Sequence, residues 1–148
     1  MSRQMPLTNL LFTRATEETP KALLDTAYER VRQVAKWGVQ TRPDGTGPEF
    51  YFWREAAQQR TDARAADGTV EWLDILMEEV AEAACEIDQT TLREELIQVA
   101  AVALSWVEDI DRKAAKEVQA LRDLVAETEA LGIYDQPGAL NEAEEGPR

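Results

Sequence analysis

Two short acidic stretches hold oxygen-bearing side chains at a spacing that could bind a hard cation. The first is Glu78-Glu79-Val80-Ala81-Glu82 and the second is Glu94-Glu95-Leu96-Ile97-Gln98. Residues three or four apart are neighbours on a helix surface, so Glu79 with Glu82, and Glu95 with Gln98, can each present a pair of oxygens to one point. Two such helices packed together would supply four converging donors, a set that suits Mg²⁺. Metal-dependent phosphate chemistry is therefore the leading expectation. A solvated acidic face is the plain alternative, because 29 of the 148 residues are Asp or Glu.

Helices must position those side chains. Trp72, Leu76, Val80, Ala83 and Ile87 form an apolar stripe at helical spacing, which predicts a helix capped by Thr69 and running to about Asp88. Thr91-Leu92-Arg93-Glu94 has the spacing of a capping box, so the next helix is expected to start there. Its stripe is Leu92, Leu96, Val99, Ala103, Val107 and Ile110. The connection, Gln89-Thr90, is short enough to make the two helices antiparallel neighbours. At about 100° per residue, Glu79 and Glu95 each sit roughly 60° from the centre of their stripe, flanking the core.

Upstream, Thr19-Pro20 reads as an N-cap followed by proline at the first helical position. Leu23, Leu24, Ala27, Val31 and Val34 recur at helical spacing up to a stop at Gly38. Residues 39–47 are rich in turn formers, and a second helix is expected over Glu49 to Ala66, opening with Phe50-Tyr51-Phe52-Trp53 and broken by Asp67-Gly68. The last helical pattern extends to Leu131-Gly132. No stretch alternates like a strand. The expected fold is all-α, a bundle of four main helices over residues 19–131, between a loosely ordered segment 1–18 and a mobile acidic tail 132–148.

Composition narrows the chemistry. A formal charge of −13 argues against nucleic acid as a partner, since that binding is driven by Lys and Arg. The absence of His removes imidazole bases, His zinc sites and Ser-His triads. No apolar run approaches the roughly 20 residues that cross a bilayer, the N-terminus lacks the apolar core of a signal peptide, and Cys85 is alone. A cytoplasmic setting is the expectation.

The segments 76–82 and 92–98 together resemble the MazG-like all-α nucleoside triphosphate pyrophosphohydrolases, which include dimeric dUTPase and dCTP pyrophosphatase relatives. That family is marked by Glu-Glu-x-x-Glu on one helix and Glu-x-x-Asp on the next. Arg32 through Gln40, leading into Pro43-Asp44-Gly45, looks like actinobacterial and phage-encoded members. The resemblance covers roughly residues 70–110. It implies Mg²⁺-dependent cleavage (Mn²⁺ as a substitute) between the α- and β-phosphates, giving a nucleoside monophosphate and pyrophosphate, in a homodimer or homotetramer with sites near subunit contacts. Glu79, Glu82 and Glu95 fall on the family's metal ligands. Gln98 stands where the motif usually has Asp, so the site loses one negative charge.

In that chemistry Glu78, about 100° away on its helix, is a candidate to take the proton of the attacking water or to orient a ligand, and is otherwise a solvent-facing Glu. Lys36 and Arg93 are candidates for the phosphates. Trp37 or Trp53 could stack on a base whose polar edge Gln40 or Asp44 would read. Trp72 and Trp106 read as core, and Cys85 as a small buried residue. Two other functions compete: a catalytically degenerate module of the same fold that binds a nucleotide or a protein, kept alive by Gln98, and an acidic mimic of nucleic acid.

Overall fold

Glycine and proline punctuate the chain where its helices begin and end. The computed structural model describes residues 16–132, so most of the expected N-terminal segment and all but the first residue of the expected tail lie outside the described residues. The elements are α1 (Thr19–Trp37), a 3₁₀ turn (Pro48–Phe50) leading into α2 (Tyr51–Ala66), α3 (Trp72–Cys85) and α4 (Gln89–Ala130). The fold is all-α, with four helices and no strand among the described residues. Gly38 ends α1 at φ 69°, donating its N–H to Val34 O at 2.8 Å. A left-handed residue at that position closes a helix, and glycine takes it without a Cβ clash.

The caps differ from the expected ones. Asp88, not Thr91, opens α4: its Oδ1 accepts the N–H groups of Thr90 at 2.9 Å and Thr91 at 3.1 Å, bonds that hold its carboxyl below the usual range. A carboxylate one residue ahead of the helix reaches the orphan donors of the first turn and carries a charge that favours the positive helix end. Thr91 is thereby absorbed into the helix, and the link from α3 becomes Glu86–Asp88. Helix α3 starts at Trp72 rather than just after Thr69, with Asp74 Oδ2 accepting the Glu71 N–H at 3.0 Å. Thr19 lies inside α1; its hydroxyl donates to Glu108 Oε1, and Thr16 donates to Glu108 Oε2, both at 2.7 Å. Glu108 is 8% exposed, and a carboxylate so enclosed needs such donors.

Helices α2 and α3 pack closely. Asp74, only 3% exposed, binds them: Arg60 Nε donates to Oδ1 at 2.6 Å and Arg64 Nε lies 2.9 Å from Oδ2. Burial alone would raise the Asp74 pKa, but the bonds from Arg60 and the Glu71 N–H, with the charge of both arginines, bring it below its ordinary value. At the start of α3, Trp72 Nε1 donates to Asp109 Oδ2 at 2.9 Å. Later in α3, Glu79 and Glu82 meet Glu95, near the start of α4. Order along one helix is thus reversed on the other, and α3 and α4 run antiparallel, as their short link predicts.

The apolar interior is small. Ala22, Ala81, Ala83, Cys85 and Leu92 are its buried members, and no large side chain is fully enclosed among the described residues. The apolar stripe of α1 is the main departure from expectation. Leu23, Leu24, Val31 and Val34 all face outward, Val31 at 66% exposure, because α1 is held near its start, at Thr16, Thr19 and Ala22, and little covers its remaining length. On α4, Leu96, Val107 and Ile110 are likewise exposed although Leu92 is buried. The contacts divide the chain at Ile110–Asp111 into two compact units, with α4 contributing to both. The acidic stretches and the aromatic cluster lie in the first. No described helix is long and apolar enough to cross a membrane.

Removing the Asp74 charge isolates the α2–α3 clamp. Asp74→Asn is expected to lower the Tm by several degrees at pH 7, since two arginines lose their shared partner. A carboxyl with a depressed pKa stabilises the fold above its unfolded value of 3.8, and that gain disappears as pH falls through the lower folded value. Thermal melts of wild type and variant should therefore begin to draw together as pH falls below about 3.8 and coincide only below the lower folded value.

Candidate functional site

Helical spacing aligns Glu79 and Glu82 on one face of α3, and the antiparallel return of α4 brings Glu95 to meet them. Oxygens from the three carboxylates lie within 4.8 Å of one another, and the three residues are half-buried. Among the described residues, these are the groups that could hold a metal ion. Glu79 Oε2 is enclosed and has no hydrogen-bond partner. A buried acceptor left unpaired is costly, so this oxygen is the strained point of the cluster.

Charge crowding shows in the titration of the group. Burial pushes the Glu79 carboxyl above its ordinary pKa, and the charges of Glu82, Glu95 and Glu78 push the same way. Burial also raises Glu82, where the Arg54 guanidinium opposes it. Arg54 Nε stands 3.8 Å from Glu82 Oε1, reaching across from α2. Two like charges 4 Å apart repel by about 4 kcal/mol at an effective dielectric of 20. One arginine at that separation offsets a single carboxylate, and the cluster keeps a demand for positive charge or for a proton.

The other residues singled out from the sequence divide into two groups. Gln98 is beside the cluster, exposed, with Nε2 donating to Glu95 Oε2 at 3.4 Å; as placed, its amide nitrogen rather than its carbonyl faces the carboxylates. Glu78 is half-buried one residue before Glu79, and its charge is felt at both Glu79 and Glu82. Trp53 lines a cavity of about 340 Å³ between the loop before α2 and helices α2, α3 and α4. Lys36, Trp37 and Gln40 instead gather at the C-terminal end of α1. Lys36 Nζ lies 4.7 Å from the Trp37 ring centroid, and Gln40 Nε2 donates to Trp37 O at 2.6 Å. They border separate hollows, and Arg93 is exposed on α4; none of these four lines the cavity.

Arg54 is the functional candidate that sequence reasoning missed. Nothing in its local context marks it, because its closeness to Glu82 arises only from the packing of α2 on α3. Phe50 was visible as part of an aromatic cluster. Its edge-on contact with Trp53, centroids 6.3 Å apart and planes at 67°, places both rings in one wall of the cavity. Trp72 and Trp106 are half-buried, and Cys85 is buried, with its thiol pushed up by desolvation.

No protein-family model, curated protein or solved structure matches this chain.

Raised carboxyl pKa values make a prediction with a definite sign. A folded state that holds its protons more tightly loses stability as pH rises from the unfolded value, 4.5 for Glu79, through the raised folded value. Glu79→Gln should therefore raise the Tm at pH 7 in the presence of chelator, an advantage that vanishes below about pH 4.5. Millimolar Mg²⁺ or Mn²⁺ should raise the Tm of wild type and leave that of the variant unmoved.

Proposed function

We propose that this chain is a Mg²⁺-dependent nucleoside triphosphate pyrophosphohydrolase that cleaves between the α- and β-phosphates. The supporting observation is the meeting of Glu79, Glu82 and Glu95, with oxygens within 4.8 Å and one of them enclosed without a partner. Three carboxylates carrying an unsatisfied acceptor are a donor set that fits a hard divalent cation, and they would be the residues holding it. When bound, Mg²⁺ supplies charge neutralisation on the phosphates and acidifies water.

The chain's own residues supply the rest. Glu78, at the border of the cluster, accepts the proton of the water that attacks the α-phosphorus. The bond from that phosphorus to the bridging oxygen breaks, and pyrophosphate leaves. Arg54, close enough to pair with Glu82, can turn its guanidinium toward a phosphate that arrives there. Lys36 and Arg93 would serve the phosphates, and Trp37 and Gln40 the nucleoside, only where a second copy brings them in. The outward apolar faces of α1 and α4 favour such an assembly, a homodimer or homotetramer, since contiguous exposed apolar surface marks contact sites. The proposed setting is the cytoplasm. Gln98 favours a second reading: with its amide nitrogen turned to Glu95, the site is one carboxylate poorer, as in a helical module that binds a nucleotide or a protein without turnover.

Incubation with ribo- and deoxyribonucleoside triphosphates should yield monophosphate and pyrophosphate with Mg²⁺ and nothing with chelator. Glu79→Ala and Glu82→Ala should each lose at least about 100-fold in kcat/KM. Diphosphate plus phosphate as products would show the reaction class to be wrong, and activity found only in Gln98→Asp would establish the degenerate module. Sedimentation equilibrium should give a dimer or larger, with Leu24→Glu and Val31→Glu shifting the protein toward monomer.

A further inference from the structure

The cavity beside the carboxylates has features of a ring-binding site that the cluster itself does not explain. Its apolar wall is built from Phe50 and Trp53, with Val80 of α3 and Leu96 and Val99 of α4. Val80 follows Glu79 directly, Leu96 follows Glu95 and Val99 follows Gln98, so cavity and carboxylates occupy adjoining faces of the same two helices. At about 340 Å³ it falls at the small end of ligand pockets, about 300–1,000 Å³, with room for a ring system and not for a whole triphosphate. Aromatic rings lining a pocket of that size suit a planar heterocycle.

One stretch of loop supplies the polar rim. Asp44, Gly45 and Thr46 border the cavity, and the loop is fastened at both sides of it. Gly47 donates its N–H to Ala84 O at 2.9 Å, satisfying a carbonyl of the last turn of α3. Gln89 Nε2 donates to Asp44 Oδ2 at 2.7 Å, which leaves Oδ1 to accept from a ligand. An ionised carboxylate accepts and cannot donate. Its counterpart on a base must be an N–H: the exocyclic amines of cytosine, adenine and guanine present one at the base edge, whereas the N3–H of uracil and thymine is flanked by two carbonyl oxygens that repel a carboxylate.

We infer that this cavity binds the nucleobase and that Asp44 selects bases carrying an exocyclic amine. The inference takes its choice of heterocycle from the nucleotide reading above, and it names the substrate class for that reading. Free nucleosides test it without metal, phosphate or turnover. Methyl NMR of the full chain, titrated with deoxycytidine, deoxyadenosine, deoxyuridine and thymidine, should shift Val80, Leu96 and Val99. The two amino-bearing nucleosides should bind about fivefold tighter than the other two. Asp44→Asn, at an exposed rim position that leaves the fold intact, should erase or reverse that preference, since an amide can donate to a carbonyl. Leu96→Trp, which adds bulk to the cavity wall, should abolish the shifts of Val80 and Val99.

Equal binding of all four nucleosides, an unchanged preference in Asp44→Asn, or no shift of the cavity methyls would overturn the inference. So would methyl shifts that follow protein concentration and ignore nucleoside, which would mark the cavity as a contact between copies. A wild-type protein that binds the amino-bearing nucleosides but releases no pyrophosphate would sink the hydrolase and leave the base site standing. Turnover with no base discrimination would do the reverse.

Discussion

Like charges held together are the constraint around which the first unit of this protein is arranged. Glu79, Glu82 and Glu95 would separate if the helices carrying them could, because repulsion and desolvation both work against the cluster. Bonds on either side of them keep α3 and α4 in place. Asp88 starts α4 three residues after α3 ends, and Trp72 joins Asp109 at the far end. Asp74 ties α2 to α3 through two arginines, and that packing delivers Arg54 to Glu82. Stability in this unit is concentrated in polar clamps, because the buried apolar set is little more than three alanines, a cysteine and a leucine.

A polar scaffold of this kind has a recognisable energetic character. Buried ion pairs contribute little net stability compared with apolar packing of the same volume, but they specify geometry and are costly to break. Asp74 fits that description, accepting from two arginines, and Glu108 is held in a similar way by two threonine hydroxyls rather than by a charge. The arrangement trades depth of core for a fixed relation among α2, α3 and the first part of α4. What it does not supply is cover for the outer faces of α1 and α4, where Leu24, Val31, Leu96 and Ile110 remain more than half exposed.

Local rules carried the sequence reading a long way, and they failed where distance entered. Three-residue spacing and a short link were enough to bring Glu79, Glu82 and Glu95 together, because both are properties of contiguous chain. Gly38, Asp67-Gly68 and Leu131-Gly132 marked helix ends for the same reason. The start of α4 was misread because Thr91 and Asp88 compete for the same orphan N–H groups, and the carboxylate won. Arg54 was invisible because only the docking of α2 on α3 gives it a role. The apolar spacing of Leu23, Leu24, Val31 and Val34 marked a helix, yet a helical period says that a face seeks cover without saying what provides it. Lys36, Trp37 and Gln40 engage one another, and sequence proximity foretold that cluster better than a shared site with the carboxylates.

The loop between α1 and α2 divides sharply in how tightly it is held. Residues 39–43 are exposed, Val39 at 90%, whereas Asp44 and Gly47 are bonded to the helices behind them. Surface chain of the first kind accepts insertions at small entropic cost, and chain of the second kind does not. Changes of length between Val39 and Pro43 can therefore accumulate without disturbing α3 or α4. The rim of the cavity belongs to the tightly held part, so it and the carboxylates behind it keep their relation while the chain leading up to them varies in length.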